Sequence, residues 1–420
     1  ELIAGKNIGT AIADGYKVAY SAIIDGNVTT LITGIVLAYF GSGPVQGFAI
    51  TLCIGILTSL FCGIFISRLV FEGLLNRKDG EHRNIAFYTK FTQHFLEKPT
   101  INWIGGHKTQ VIIAGTFALI SIGSLAVRHL SLGVDFAGGR TYVVPFDQDV
   151  QPEAVRMALT KQFGSEPEVK TFGPNYQVKI TTKYKVKEDS EQVKKEVINK
   201  LFAGTKDFFK DKTMTVTKFQ STATSPLGII SSEIVGPTMA EDIQRSAIIA
   251  VIISLVLIFI YVAIRFKKWQ YGLAGLLSLS FDALITIGAF SLFNGILPFN
   301  LEVDQQFVAA VLTVIGYSIN DTVIVFDRIR ENVRLYPKEN YGKLMNNAMN
   351  QTLSRTFNTL GTTLLTLLII FLLGGEVLRG FSFSLLVGMT SGCFSSLCVA
   401  CPTAYALIMR SEKKKIEAKK

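Results

Sequence analysis

Apolar residues along this chain fall into runs of about 20 positions, and shorter polar segments separate the runs. A helix needs about 20 apolar residues to cross the ~30 Å hydrocarbon core of a bilayer. The pattern therefore predicts a polytopic α-helical membrane protein. Eight spans are expected, at roughly 22–40, 47–70, 109–128, 246–264, 271–293, 305–326, 354–373 and 381–408.

Two neighbouring spans near the start of the chain reappear near its end. A shift of 333 positions places Thr29-Thr30-Leu31 on Thr362-Thr363-Leu364 (362 − 29 = 333). The same shift superposes Ser21 on Ser354, Thr33 on Thr366, Gly41 on Gly374, Gly47 on Gly380, Phe48 on Phe381, Leu52 on Leu385, Gly55 on Gly388 and Phe61 on Phe394. Repeated membrane units are a building plan of transporters, whose ion and substrate sites lie near the repeat interface. The repeat is broken at Arg355, which falls on Ala22.

The distribution of basic residues predicts which way the spans run. The chain carries a net charge of +10, but its Lys and Arg residues are concentrated in alternate loops, which favours membrane topology over nucleic-acid binding. These basic segments are 72–108, 265–268, 328–343 and 413–415, and we expect them on the cytoplasmic side. The alternate short connections carry one basic residue, Arg379, so the long segment 129–245 is expected to face outward.

The outward segment is polar and shows alternating strand and helix patterns. The predicted elements are a strand at Thr141–Phe146, a helix at Pro152–Phe163, a hairpin of Glu168–Phe172 and Tyr176–Thr182, a helix from Ser190 to about Phe202, and a strand at Thr213–Phe219. The order βαββαβ predicts a ferredoxin-like α+β domain. No His or Cys occurs between Gly133 and Gln244, so we expect this domain to bind or to act as a lever. The segment Ser231–Thr238 leads from it directly into the fourth span.

Four ionisable residues stand out in the predicted spans, namely Asp321, Arg355, Asp282 and Asp25. Inserting such a charge costs about 2.5–3.5 kcal/mol, and residues that bear this cost usually mark an ion pathway. Asp321 and Arg355 flank the same cytoplasmic loop on successive spans, so we expect their side chains to face each other. The three carboxylates and the arginine form a candidate proton relay, because a nearby arginine changes the proton affinity of a carboxylate as its distance changes. The alternative is a static ion pair that fixes helix register.

Polar residues at helical spacing accompany these charges. The supporting residues are Tyr317, Asn320, Asn358, Thr359 and Thr362. The last three follow Arg355 at i+3, i+4 and i+7, which places them on one face of a helix. We predict that this polar face holds water.

The cysteines and glycines do not indicate an enzyme. All five cysteines (Cys53, Cys62, Cys393, Cys398 and Cys401) fall in predicted spans, where a thiol packs as a small apolar group. The Cys398-x-x-Cys401 spacing lacks a second ligand pair, which favours packing over a metal site. No nucleophile, metal cluster or phosphate-binding loop is recognisable in the sequence. We therefore expect neither an enzyme nor a cofactor.

Several long strings resemble the bacterial SecD/SecF family, which is related to the RND exporters. Gly316–Glu331, Gly133–Arg140 and Val235–Thr238 resemble the SecF half of this family. Asp25–Thr30 and Phe40–Phe48 resemble the last two spans of the SecD half. The resemblance implies an RND-like helix bundle in the bacterial inner membrane, with a periplasmic ferredoxin-like domain and a cytoplasmic C-terminal tail.

The resemblance also divides the chain into segments. Residues 1–71 correspond to the last two SecD spans, 72–108 to a cytoplasmic linker, 109–128 to the first SecF span, 129–245 to the periplasmic domain, 246–410 to the remaining SecF spans and 411–420 to a basic cytoplasmic tail. We expect the front portion of SecD upstream, because the repeat partner of Gly316–Arg330 falls before residue 1. In the family, the carboxylate usually assigned as main proton carrier belongs to that portion.

The family is a proton-driven accessory of the Sec translocon that helps to pull polypeptides outward. The resemblance assigns Asp321 to the carboxylate of the SecF signature helix, Arg355 to the essential intramembrane arginine, and Asp282 to an Asp of the preceding span. A His that often comes before this Asp is Phe281 here. The implied partners are the SecD portion, the Sec channel with its associated membrane proteins, an unfolded secretory polypeptide and protons. Two alternatives remain, an RND-type exporter of small apolar molecules and a non-motor translocon scaffold.

Overall fold

The computed structural model describes residues 8–75, 99–188, 190–220, 227–297, 299 and 301–417. Most of the predicted linker 72–108 and the end of the predicted tail 411–420 lie outside the described residues. The helices are α1 (Ile8–Phe40), α2 (Gly43–Phe61), α3 (Ser67–Leu75), α4 (His107–Arg128), α5 (Val134–Ala137), α6 (Pro152–Phe163), α7 (Glu191–Thr205), α8 (Val216–Gln220), α9 (Pro237–Phe266), α10 (Trp269–Phe293), α11 (Gln305–Leu335), α12 (Tyr341–Leu373), α13 (Glu376–Ser395) and α14 (Cys401–Glu417). The strands are β1 (Gly139–Pro145), β2 (Glu168–Thr171), β3 (Gln177–Thr182) and β4 (Ser231–Val235).

Eight helical segments in the described part of the chain are long and apolar enough to cross a membrane, which confirms the prediction. Short π-helical turns join α2 to α3 at Cys62–Ile66 and α13 to α14 at Ser396–Ala400, so each pair forms one span. The domain emerges between α4 and α9. We call that end of the bundle the domain side and the opposite end the far side.

The internal repeat extends to the helix boundaries. The 333-position shift carries the last residue of α1, Phe40, onto the last residue of α12, Leu373 (40 + 333 = 373). The two π-helical turns also correspond to within one residue, because Cys62 shifts to 395 and the second turn begins at Ser396. The two copies therefore share the local backbone as well as the sequence.

Helix α11 lies at the centre of the bundle. Of the eight spans it is the most enclosed, because 78% of the residues in its most apolar 18-residue stretch are buried. It packs against α1, α9, α10, α12 and α13. Its first turn is capped by Asp304, whose carboxylate accepts from the Phe307 amide at 2.8 Å. The following helix is capped by Asn340, whose side chain accepts from the amides of Gly342 and Lys343. Such capping satisfies amides that have no partner within the helix.

The α+β domain has a four-stranded antiparallel sheet in the order β2-β3-β1-β4, with α6 and α7 packed on it. This is the predicted ferredoxin-like arrangement. The prediction of a final strand at Thr213–Phe219 is wrong, because Val216–Gln220 is a short helix and Ser231–Val235 pairs with β1 instead. The Thr215 carbonyl accepts from the Phe219 amide and so closes a helical turn that the alternating pattern concealed.

The loop between α10 and α11 attaches the domain to the bundle. The amide of Gly133 donates to the Val303 carbonyl at 2.9 Å, and the Val303 amide donates to the Ser131 carbonyl at 2.8 Å. Glu302 accepts from Lys170 at 2.8 Å and from Lys179 at 3.0 Å, and these lysines lie on β2 and β3. The first turn of α11 is thereby joined to the sheet.

Candidate intramembrane ion site

Three of the four ionisable residues lie at a similar depth in the bundle. Counted from the domain side, Asp25 is 15 residues into α1 (40 − 25), Asp321 is 16 into α11 (321 − 305) and Arg355 is 18 into α12 (373 − 355). At about 1.5 Å per residue they lie roughly 22–27 Å from that side. Asp282 is 11 residues into α10 (293 − 282) and lies closer to the middle.

Asp321 is buried on the face of α11 that meets α12 and α13. It is 8% exposed, and Arg355 of α12 acts on it electrostatically. One turn earlier on the same face, the Tyr317 hydroxyl lies 2.8 Å from the Thr363 hydroxyl of α12. Asp321 and Arg355 therefore lie on helices that pack against each other. In the described residues their interaction is one of charge, without the direct ion pair that Asp25 makes elsewhere.

The polar face of α12 lies on the surface of the bundle. Arg355, Asn358 and Thr362 are exposed and Thr359 is half-buried. The two threonine hydroxyls donate within the helix, Thr359 to the Arg355 carbonyl at 2.9 Å and Thr362 to the Asn358 carbonyl at 3.0 Å. The face presents a guanidinium and an amide whose polarity suits water or another polar surface rather than lipid.

Asp25 pairs with a residue that the sequence reasoning did not single out. Its carboxylate accepts from Arg265 Nε at 2.7 Å and from the Tyr261 hydroxyl at 2.8 Å, and a second Arg265 nitrogen lies 2.7 Å away. From sequence, Arg265 looked like one of several basic residues at a cytoplasmic helix end. The predicted relay of four residues is therefore split into separate sites. Asp25 pairs with Arg265, whereas Arg355 acts on Asp321.

Asp282 is fully buried and is surrounded by hydroxyl groups. Ser318 of α11 donates to it at 2.6 Å, and Ser391 and Ser395 of α13 donate at 2.7 and 2.8 Å. Ser278 in turn donates to Ser395 at 2.9 Å. The i, i+4 spacing of the two α13 serines was the available sequence signal. This carboxylate links α10, α11 and α13, apart from both arginines.

Asn320 lies on a different face of α11 from Tyr317 and Asp321. A Cβ atom added at Gly26 would lie 1.9 Å from the Asn320 side-chain oxygen, so the amide rests directly against the α1 backbone. The Thr30 hydroxyl donates to the Gly316 carbonyl at 2.9 Å along the same contact. Asn320 therefore stands between the Asp321 and Asp25 sites.

Charged groups at the domain side of α11 shift each other's proton affinity. Burial opposes ionisation of Glu302, but the charges of Lys179 and Lys170 outweigh it and lower the pKa of this carboxyl. Burial raises the pKa of Asp304 to about 6, and the charge of nearby Asp135 adds to this. The Asp135 carboxylate also accepts from the Gln305 amide at 3.1 Å. The predicted absence of a metal site stays a prediction, although no group of three His, Cys, Asp or Glu that could hold a metal occurs within the described ranges.

Comparison with known proteins identifies relatives over the whole chain. A model of the family "Protein export membrane protein SecD/SecF, C-terminal" matches residues 215–410, and a "SecD/SecF GG Motif" model matches residues 123–150. The protein translocase subunit SecF of Rhodothermus marinus is 39% identical over 75% of this chain and 96% of its own length. SecDF of Thermus thermophilus is 33% identical over 100% of this chain and 52% of its own length.

The fold has a solved counterpart. The crystal structure of SecDF from Thermus thermophilus, titled a translocon-associated membrane protein, matches with a TM-score of 0.80 and 32% identity. The match covers 97% of this chain and 51% of that one. The chain thus spans about half the length of the SecDF relatives it matches.

Proposed function

The chain belongs to the SecD/SecF family of protein export membrane proteins, and from this we propose that it is an accessory part of the Sec translocon that uses proton movement to promote polypeptide export. We place it in the bacterial inner membrane, with the domain in the periplasm and the far side of the bundle, including the C-terminal tail, in the cytoplasm. The basic loops at the far side support this orientation.

The observation that carries the proposal is Asp321, which is buried in a membrane helix that packs against the helix of Arg355, whose charge acts on it. When Asp321 is ionised the two charges attract, and when it takes up a proton the attraction ends. A proton that crosses a potential of 100 mV releases about 2.3 kcal/mol. Repeated protonation of this site therefore supplies energy to change the packing of α11 against α12.

The attachment of the domain supports a mechanical role. Helix α11 carries Asp321 in the membrane, and the loop before it binds the segment ahead of α5 through Val303 and the sheet through Glu302. A shift of α11 along or about its axis would move that loop and the strands bonded to it. The domain would then act as the lever that engages an emerging, unfolded polypeptide.

The exposed polar face of α12 supports a further membrane partner. Arg355 and Asn358 are costly to leave against lipid. By analogy with the repeat, in which α1 packs closely on α11, we propose that a helix from the SecD portion covers α12 and completes the proton path. The Sec channel and its associated membrane proteins would then bind elsewhere on the bundle or domain.

Two other functions make different demands on the structure. An exporter of small apolar molecules requires an apolar cavity in the domain, but the depression of about 490 Å³ between α6 and α7 is lined by charged and amide side chains such as Lys195, Glu196 and Asn199. A non-motor scaffold requires no intramembrane charge. The proposed motor fits the buried acid and facing arginine better than either.

Secretion measured with and without a proton gradient tests the proposal. Asp321→Asn and Arg355→Met in the natural protein should remove the gradient-dependent part of secretion, while Arg334→Gln, at an exposed arginine near the far end of α11, should leave it unchanged. Gradient-dependent secretion by stably inserted Asp321→Asn and Arg355→Met variants would rule out the motor. A scaffold predicts that result, together with loss of function on truncation of the domain.

A further inference from the structure

Asp25 and Arg265 form an ion pair between two membrane-spanning helices. Asp25 is 4% exposed, and its two carboxylate oxygens each lie 2.7 Å from a guanidinium nitrogen of Arg265. The Tyr261 hydroxyl donates to the same carboxylate at 2.8 Å, and Arg265 also donates to the Ser21 hydroxyl. Both arginine and carboxylate are held in fixed positions, and the pair joins α1 to α9.

The pair is connected to the far-side end of α11. Arg330 donates to the Arg265 carbonyl at 3.4 Å, packs its guanidinium over the Phe266 ring and pairs with Asp327 on its own helix. The charge of Asp327 also acts on Arg265. In the described part of the chain, the titratable and charged groups around Asp25 are Arg265 and Tyr261 of α9, with Asp327 and Arg330 of α11 behind them.

The Asp25 site and the Asp321 site lie at the same depth on two faces of α11. Asp25 precedes Gly26, Asp321 follows Asn320, and the Asn320 amide rests on Gly26. The charge arrangement is inverted between the two sides. The repeat helix α12 contributes an arginine opposite an acid on α11, whereas its copy α1 contributes an acid opposite an arginine on α9.

We propose that Asp25 is a second proton-exchange site and that Arg265 is its positioning residue, so that protonation of Asp25 frees Arg265 and loosens α1 from α9 at the far side. This inference rests on the proposed function and names a second step of the same proton path. Asn320 lies between the two sites, and its amide, which can both donate and accept, makes it the connecting group. The ion pair is intact when Asp25 has given up its proton.

Proton flux in membrane vesicles that contain the natural protein tests this role. Flux is recorded with a pH-sensitive dye between about pH 5 and 8 for Arg265→Gln, Arg265→Lys, Asp25→Asn and the Asp25→Asn/Arg265→Gln double variant. We expect Arg265→Gln to reduce flux several-fold and to move its half-maximal pH upward, because the carboxylate loses the cation that favours its ionised form. Arg265→Lys keeps the charge and should keep most of the flux. Asp25→Asn should remove the flux, and the double variant should be no worse.

The outcomes separate this inference from the proposed function. If neither Asp25→Asn nor Asp321→Asn changes the proton flux, the proposed function fails and this inference fails with it. If Asp321→Asn abolishes flux while Asp25→Asn does not, only the second site is excluded. If Arg265→Gln lowers the amount of folded protein but leaves the pH profile in place, the arginine is structural. If the Arg265→Gln variant does not insert into the membrane, the pH profile of Arg265→Lys tests the inference instead. The lysine moves the positive charge relative to Asp25, so the half-maximal pH of the flux should still shift.

Discussion

Thr30 of α1 and Thr363 of α12 are equivalent residues of the repeat (363 − 30 = 333), and they contact consecutive residues of α11. The Thr30 hydroxyl donates to the Gly316 carbonyl at 2.9 Å, and the Thr363 hydroxyl lies 2.8 Å from the Tyr317 hydroxyl. The two copies thus hold the central helix on two faces. Successive residues of a helix point about 100° apart. The two equivalent threonines therefore meet different partners, the backbone carbonyl of Gly316 in one case and the side-chain hydroxyl of Tyr317 in the other.

Gly26→Ala should disrupt the contact between α1 and α11. The new Cβ would lie 1.9 Å from the Asn320 side-chain oxygen, so the helices must separate or the amide must turn away. Overpacking of this kind typically costs about 1–3 kcal/mol. Thermal unfolding of the purified protein measures the loss, and proton flux should fall as well because Asn320 no longer lies between the two acidic sites.

Two further variants control for the effect of an added methyl group. Gly55→Ala places a Cβ on α2 where nothing lies within 4 Å, so its stability should be unchanged or slightly raised by the better helix propensity of Ala. Asn320→Ala in the Gly26→Ala background removes the obstructing atom and should restore part of the stability. Equal unfolding temperatures for Gly26→Ala and Gly55→Ala would contradict the close packing described here.

The hydroxyl groups around Asp282 should contribute measurable stability. Ser318→Ala and Ser391→Ala each remove one donor, and a lost hydrogen bond costs about 1 kcal/mol. Asp282→Leu should cost more than either, because it leaves three buried hydroxyls without their acceptor. Thr390→Val is the matched control on α13, since its exposed hydroxyl donates only to its own helix. Unfolding temperatures that do not separate Ser391→Ala from Thr390→Val would argue against the cluster.

Local patterns were sufficient to predict most of the fold. Apolar run length defined the spans, and alternation with turn residues defined the hairpin of β2 and β3. The strand β4 was misplaced because Thr213–Phe219 has the alternation of a strand, and only the pairing of Ser231–Val235 with β1 shows which segment completes the sheet. Strand pairing over about 90 residues is a tertiary property that local alternation does not contain.

The candidate site was predicted in its residue types but not in its pairings. The cost of charge in lipid singled out Asp25, Asp282 and Asp321, and loop geometry joined Asp321 with Arg355. The partner of Asp25 is 240 residues away, at a helix end where basic residues are expected for topology alone. Only the packing of α1 against α9 distinguishes Arg265 from its neighbours Lys267 and Lys268.

Exchanging the charges between the loop and the sheet should release and then restore the attachment of the domain. Glu302→Lys places a third positive charge beside Lys170 and Lys179, and we expect a loss of about 1–3 kcal/mol for this partly buried cluster. Hydrogen exchange at β2 and β3 should rise. Adding Lys179→Glu to Glu302→Lys recreates an opposite-charge pair and should reverse part of the effect. If exchange at these strands is the same in all three proteins, Glu302 does not hold the domain.

Protonation of Asp304 should make the protein more stable at mildly acidic pH. Burial, with the charge of Asp135, raises its pKa from 3.8 to about 6, so the folded protein binds this proton more tightly than the unfolded chain does. The resulting stabilisation is complete below about pH 4 and is lost as the pH rises through about 6. Between pH 5 and 7 the unfolding temperature of the wild type should therefore fall relative to that of Asp304→Asn.

Asp304→Asn is suited to this comparison because Asn is as good a helix cap as Asp and still accepts from the Phe307 amide. The acidic partner in the same loop does not interfere, since the lysines lower the pKa of Glu302 and keep it ionised throughout this range. Any other group that titrates between pH 5 and 7 affects both proteins equally and cancels in the difference. If the unfolding temperatures of the two proteins differ by the same amount at every pH in this range, Asp304 is ionised in the folded protein. Protonation at the first turn of α11 would then not affect stability.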